Sequence, residues 1–111
     1  MTTYSVEITD QADADLRGIF EYIAYELQSV QNAAAQLSRL ERGIDSLSQM
    51  PERYRRYEKE PWYSRNWRIM LVDHYCVFYT PDDTRKVVTI TRILYGGRNI
   101  DKVLTEDKTE R

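Results

Sequence analysis

Cations and aromatic rings crowd one stretch of this sequence, RYRRYEKEPWYSRNWR (53–68). It interleaves Arg53, Arg55, Arg56, Lys59, Arg65 and Arg68 with Tyr54, Tyr57, Trp62, Tyr63 and Trp67. Cations at that density attract phosphates, and exposed rings stack on bases. Arg53, Arg55, Arg56, Lys59, Trp62 and Arg65 are therefore candidate contacts to a nucleic acid. Glu52, Glu58 and Glu60 dilute the six positive charges to a net +3. Some of the rings must also close the core beneath the loop, so a solvated basic loop is an equal alternative.

A second stretch, TITRILYGGRNID (89–101), carries Arg92 and Arg98. Arg92 shares its parity with Val88, Ile90 and Leu94, which have core character, so it calls for a carboxylate partner: Glu7 or an acid on a helix. Arg98 follows Gly96-Gly97, a pair that lets the backbone leave the strand. It stands near the start of a short tail helix, where a cation opposes the helix dipole. With no local electrostatic reason to be there, Arg98 points to a working role. His74 falls in a turn and reads as solvated, and Cys76 as a small strand residue. One histidine and one cysteine exclude the usual zinc site and any internal disulfide framework. No cofactor or metal is expected.

The elements that must position these residues follow from periodicity. The 111 residues are long enough for one domain, 1–111, with 104–111 expected to fray. No apolar run approaches the roughly 20 residues of a membrane span. The N-terminus lacks the regions of a signal peptide, and the single cysteine fits a reducing cytoplasm. The net charge of −2 gives no global attraction to nucleic acid.

YSVEI (4–8) alternates as a half-buried strand, and Thr9 or Asp10 caps the helix after it. Leu16, Ile19, Phe20, Ile23 and Leu27 make one apolar stripe. Ser29 caps a second helix with the stripe Val30, Ala33, Ala34, Leu37, Leu40, Ile44 and Leu47, which Pro51 stops. Residues 51–66 read as an ordered loop with a helical turn. Strands follow at 66–72, 74–80 and 86–94, then a short helix in NIDKVL. The order β-α-α-β-β-β makes an α+β fold: a helical hairpin packed on a four-stranded sheet with a C-terminal antiparallel meander.

That order resembles the RelE/ParE toxins of bacterial type II toxin–antitoxin modules. So do IFEYIAYEL, RLERGIDSLSQMPERY, RNWRIMLVDHYCVFYTPDD and ITRILYGGRNID, over roughly residues 4 to 104. The resemblance implies a small toxin neutralised by a cognate antitoxin. It would either cleave messenger RNA on the ribosome or poison DNA gyrase. The RNase members imply basic residues where this chain has Arg68, Met70 and Cys76, an arginine at Arg98 and a tyrosine at Leu104. Only Arg68 and Arg98 are retained in type, so the catalytic set, if there is one, is those two. Methionine and leucine can neither donate a proton nor stabilise a phosphorane.

Alternation gives the same positions a second meaning. A turn at Val72-Asp73-His74 pairs Leu71 with Tyr75, Ile69 with Val77 and Trp67 with Tyr79, all under the helices. Arg68, Met70, Cys76 and Phe78 then share an open, apolar face. A two-residue turn would swap the second strand's face. An open face of this kind suits a protein partner. Arg68, Met70, Cys76, Phe78 and Arg98 are therefore the candidate contacts to the target or the antitoxin. The expectation is a gyrase-directed toxin. The alternatives are a ribosome-dependent endoribonuclease and an inactive binding protein of the same fold.

Overall fold

The structure, a computed structural model, describes residues 3–97 and 100–105. Strand β1 (Ser5–Ile8) leads into helix α1 (Asp10–Glu21), which continues as a π-helical turn, Tyr22–Glu26. Helix α2 (Val30–Ser46) and a 3-10 turn, Pro51–Arg53, precede strands β2 (Arg68–Val72), β3 (Tyr75–Asp82) and β4 (Val87–Tyr95), and α3 (Ile100–Thr105) closes the described chain. The sheet order is β1-β4-β3-β2. β1 runs parallel to β4, and the rest is an antiparallel meander. This is the expected α+β architecture.

Local chemistry sets the helix ends. The Thr9 hydroxyl accepts from the Ala12 N–H at 3.1 Å, and the Ser29 hydroxyl from the Asn32 N–H at 3.3 Å. Each satisfies one of the amides that a first helical turn leaves without a partner. At the end of α2 the Arg53 guanidinium collects the Ser46, Gln49 and Met50 carbonyls. Met50 takes φ 48° and Pro51 prevents the helix from continuing.

Helices α1 and α2 cover one sheet face. Ala12, Leu16, Leu40, Ile44 and Leu47 pack there on Met70, Val77, Tyr79, Val88, Ile90 and Ile93. Gly43 lets α2 approach β2 closely, since a Cβ there would meet Val72 Cγ2 at 3.0 Å.

Two backbone details depart from the sequence reading. The β2–β3 connection is the two-residue turn Asp73-His74, with Val72 opposite Tyr75 and Met70 opposite Val77. Asp73 accepts φ 55°, a conformation Asp tolerates. β3 faces as expected, but β2 is turned over. Met70 therefore lies in the helix-side core, 2 % exposed, and not on the other face with Cys76 and Phe78.

The second detail is a bulge. Phe78 pairs with Arg92 but Tyr79 pairs with Ile90, so Thr91 is extra. Its hydroxyl donates to the Phe78 carbonyl at 3.0 Å. Past the bulge the parity of β4 shifts: Ile93 joins the helix-side core and Leu94 the opposite one.

The second sheet face is covered, not open. Trp62, Trp67, Ile69, Cys76, Phe78, Leu94 and Leu104 form a second core, with Tyr57, Ile100 and Val103 packed against it. Phe78 takes the Tyr57 ring edge-on at 5.1 Å and the tilted Trp67 ring at 5.9 Å. The loop between the 3-10 turn and β2 thus folds over the sheet, and α3 finishes the cover. Leu104 and Thr105 belong to α3, with Leu104 buried, and the rest of the tail lies outside the described residues.

Candidate functional site

The residues expected to share one surface are dispersed. Arg68 is half-buried on the helix side of β2 and donates through one terminal nitrogen to the carbonyls of Tyr54 (2.6 Å) and Glu52 (3.3 Å). Met70, Cys76 and Phe78 are buried in two different cores and cannot meet a partner as an open face. Burial pushes the Cys76 thiol above its ordinary range, with Arg55 opposing weakly, which makes it a poor nucleophile at neutral pH. Leu104 is a core residue. Arg98 lies outside the described residues.

The basic loop splits in the same way. Trp62 is buried between Tyr57 and Trp67, so it is not available to stack on a base. Arg53 is committed to capping α2. Lys59 pairs with Asp101 at 3.2 Å. Asp101 also accepts the Tyr57 hydroxyl. That hydrogen bond holds the Asp101 carboxyl below its usual range, while burial and the same bond raise the Tyr57 phenol. Arg55, Arg56 and Arg65 remain exposed on the outer surface of the loop.

Arg92 has the helix carboxylate that its position demanded, and it is Asp15, not Glu7. Arg92 Nε lies 2.8 Å from Asp15 Oδ2, and a terminal nitrogen lies 3.2 Å from Oδ1. The same Oδ2 accepts the Ile93 N–H at 2.9 Å. β1 ends at Ile8, so beyond Ile90 the outer edge of β4 has no strand partner. The start of α1 substitutes for one: Thr9 N–H donates to the Ile90 carbonyl, the Thr9 hydroxyl to the Thr91 carbonyl, and Asp15 accepts from Ile93. His74 is exposed in its turn. The neighbouring Asp73 carboxylate accepts from Arg39 and Gln36 of α2, which hold it below its usual range.

The surface that periodicity missed is a groove of about 870 Å³ between the helical hairpin and the far end of β3 and β4. Tyr22, Leu27, His74, Tyr75 and Tyr95 are among its lining residues, with Asp15 in its wall. Leu27 was expected in the buried stripe but is 57 % exposed. The cause is the π turn: the Leu27 N–H bonds the Tyr22 carbonyl five residues back, which rotates the last residues off the stripe. Tyr22 is 56 % exposed, and Tyr25 and Val30 are exposed nearby in sequence. The signal was present as an excess of apolar residues at the hairpin tip, Tyr22, Tyr25, Leu27 and Val30, more than one stripe can bury. Burial raises the Tyr75 phenol, with Tyr95 and Tyr22 adding to it.

Among the described residues, no group of three His, Cys, Asp or Glu side chains could hold a metal ion. No described helix is long and apolar enough to cross a membrane.

Comparisons with known proteins agree with this geometry. A family profile described as ParE toxin of type II toxin-antitoxin system, parDE, matches residues 6–100. No curated protein matches the sequence. Among solved structures, a chain of the chromosomal ParDE TA system from P. aeruginosa superposes with a TM-score of 0.68 at 19% identity, covering 84% of this chain and 96% of that one. A chain of the toxin–antitoxin complex RelBE2 from Mycobacterium tuberculosis gives 0.61 at 23% identity, covering 86% and 93%. A mutant E. coli toxin RelE in the free state gives 0.65 at 12% identity, covering 95% and 94%. At these identities the structural likeness speaks to the fold.

Proposed function

This chain belongs to the ParE toxin family of type II toxin–antitoxin systems, and from that premise we propose that it arrests growth by engaging DNA gyrase while a cognate antitoxin holds it inactive. The observation that carries the choice of target is the filling of the second sheet face. Cleaving RNA requires a base for the 2′-hydroxyl, charge on the phosphorane and an acid for the leaving oxygen, aimed at one point. Cys76, Phe78, Leu94 and Leu104 occupy that face as a closed apolar core. Met70 is on the opposite side, and Arg68 is tied to loop carbonyls. Of the catalytic positions implied by the RNase resemblance, the described ones bring no second cation to Arg68. A toxin without that chemistry acts by binding.

The antitoxin is the partner for which the groove is suited. The related P. aeruginosa and M. tuberculosis proteins are described as toxin–antitoxin systems or complexes. In this chain the groove offers exposed Tyr22, Leu27 and Tyr95, aromatic and aliphatic anchors that an amphipathic helix can cover.

The test is expression without the antitoxin. The expected outcome is growth arrest with accumulation of gyrase–DNA cleavage complexes and an SOS response. Messenger RNA cut at ribosomal A sites, with gyrase unaffected, would replace this reading with the endoribonuclease one. Normal growth would leave an inactive binding protein.

A further inference from the structure

Helix α1 carries a glycine that the fold itself does not need. Gly18 lies inside the helix in ordinary conformation: its carbonyl accepts the Tyr22 N–H, and its φ is not positive. Glycine is a poor interior helix residue, because it has the most backbone freedom to lose and no side chain to pack. A neighbour too close for a Cβ can require it, as at Gly43, where a Cβ would meet Val72 Cγ2 at 3.0 Å. At Gly18 a Cβ would meet nothing within 4 Å. The residue is exposed and lies in the wall of the groove with Tyr22 and Leu27. What the missing side chain keeps open is space in the groove.

The charges around that space have one sign. Of the charged groups that line the groove, Asp15 is paired with Arg92 and Arg39 with Asp73. His74 stands next to the Asp73 carboxylate. From Gly18 to Ser38 the chain has no cation, and its only charges are Glu21 and Glu26. Both are exposed, and neither has a partner among the described residues. Tyr22, Tyr25, Leu27 and Val30 are exposed in the same stretch. The surface is therefore apolar with an acidic rim, and its complement is apolar and basic.

We infer that the antitoxin crosses α1 at Gly18, with a segment that is apolar against Tyr22 and Leu27 and directs lysine or arginine toward Glu21 and Glu26. The inference deepens the antitoxin reading of the groove and rests on it. Gly18 is then a specificity-determining contact. Without a side chain it lets the partner come against the helix backbone, and any larger residue fills the same space. The two carboxylates act mainly on approach. Charges at the rim of an interface steer association and reject partners of like sign more than they hold the complex together.

The test is the kinetics of antitoxin binding to the full-length toxin by biolayer interferometry, with the purified cognate antitoxin as the probe, at low and high salt. Gly18→Leu should leave the thermal unfolding temperature unchanged or raised, since leucine is the better helix former and the space is open. It should weaken binding by about 30-fold or more. Gly18→Ala, with one methyl, should fall between wild type and leucine. Glu21→Lys with Glu26→Lys should slow association about tenfold at low salt, leave dissociation nearly unchanged and abolish the slowing that salt causes in the wild type. Glu41→Lys, outside the groove on α2, should change none of these. Wild-type affinity in both glycine variants would overturn the crossing point. Association at the wild-type rate or faster in the charge-reversed protein would overturn the basic segment. Loss of growth arrest in Gly18→Leu, with antitoxin binding intact, would give the space to the toxin's target instead. The groove reading fails separately. If Tyr22→Asp with Leu27→Asp loses the antitoxin while Gly18→Leu keeps it, the groove stands and the crossing point falls. If every variant keeps it, both fall.

Discussion

Arg92 shows how far a single side chain can be reasoned from sequence. A mid-strand arginine at core parity demands a buried carboxylate, and Asp15 supplies one with two hydrogen bonds, while Arg92 itself is only 7 % exposed. The identity of the partner was not legible, because it depends on α1 lying along the β4 edge. Trp62 shows the opposite case. Its neighbours in sequence are cationic, so it resembled a stacking platform, but desolvating a large indole against Tyr57 and Trp67 outweighs leaving it in water. The Arg92–Asp15 pair carries the residue-scale prediction. Arg92→Ala leaves a buried carboxylate without its charge partner, a change that costs about 3–5 kcal/mol. Urea unfolding measures it. A loss below about 1 kcal/mol would mean that water replaces the guanidinium and that the pair is not structural.

At the scale of elements, the caps, the strand order and most of each helix stripe were legible because each is written in local residue types; Leu27, Val30 and Ala34, expected in the stripes, are exposed. Thr9 and Ser29 begin the two helices as their side chains require. Two features were not legible, and both concern one residue more or less in a strand connection. The two-residue turn at Asp73-His74 inverted β2, and the bulge at Thr91 shifted the end of β4. Side-chain direction has period two, so a one-residue difference reverses a whole face. What holds the short turn is electrostatic. Asp73 accepts from Gln36 at 2.9 Å and Arg39 at 2.7 Å, tying the hairpin tip to α2, and Asp101 ties α3 to the loop through Tyr57 and Lys59.

Both carboxyls titrate below their ordinary range in the folded protein. The folded state therefore holds these protons less tightly than the unfolded chain. Their stabilisation is present above the unfolded carboxylate value of about 4 and is lost as pH falls through the lower folded values. Denaturant unfolding measured from about pH 5 down to pH 2 should show falling stability. Asp73→Asn, which keeps the size and an acceptor but cannot titrate, should flatten part of that slope. An unchanged slope would show that the turn is held by its backbone alone.

At the scale of the whole molecule, the sheet is buried on both faces, and this decides where partners can bind. A half-covered sheet would have offered its bare face to the antitoxin. Here the loop aromatics and α3 have taken that face, and the groove at the hairpin tip offers an apolar surface instead, where the π turn has moved Tyr22 and Leu27 into solvent. None of the exposed arginines of the basic loop, Arg55, Arg56 and Arg65, lines the groove, so the two surfaces are separate. Two surfaces so separated predict that neutralisation and toxicity can be uncoupled by substitution. Tyr22→Asp with Leu27→Asp places two carboxylates where an apolar partner face would have to sit. Both side chains are already more than half exposed, so the fold should survive. Losing two anchors of this kind costs about 2–4 kcal/mol of binding, a factor of about 30 to 1000 in Kd. Co-expressed with its antitoxin, the double variant should fail to co-purify with it and should arrest growth as strongly as the unprotected wild type. Continued rescue and co-purification would place the antitoxin elsewhere. Loss of toxicity along with rescue would show that the groove also serves the target, and that inhibition is simple competition for one surface.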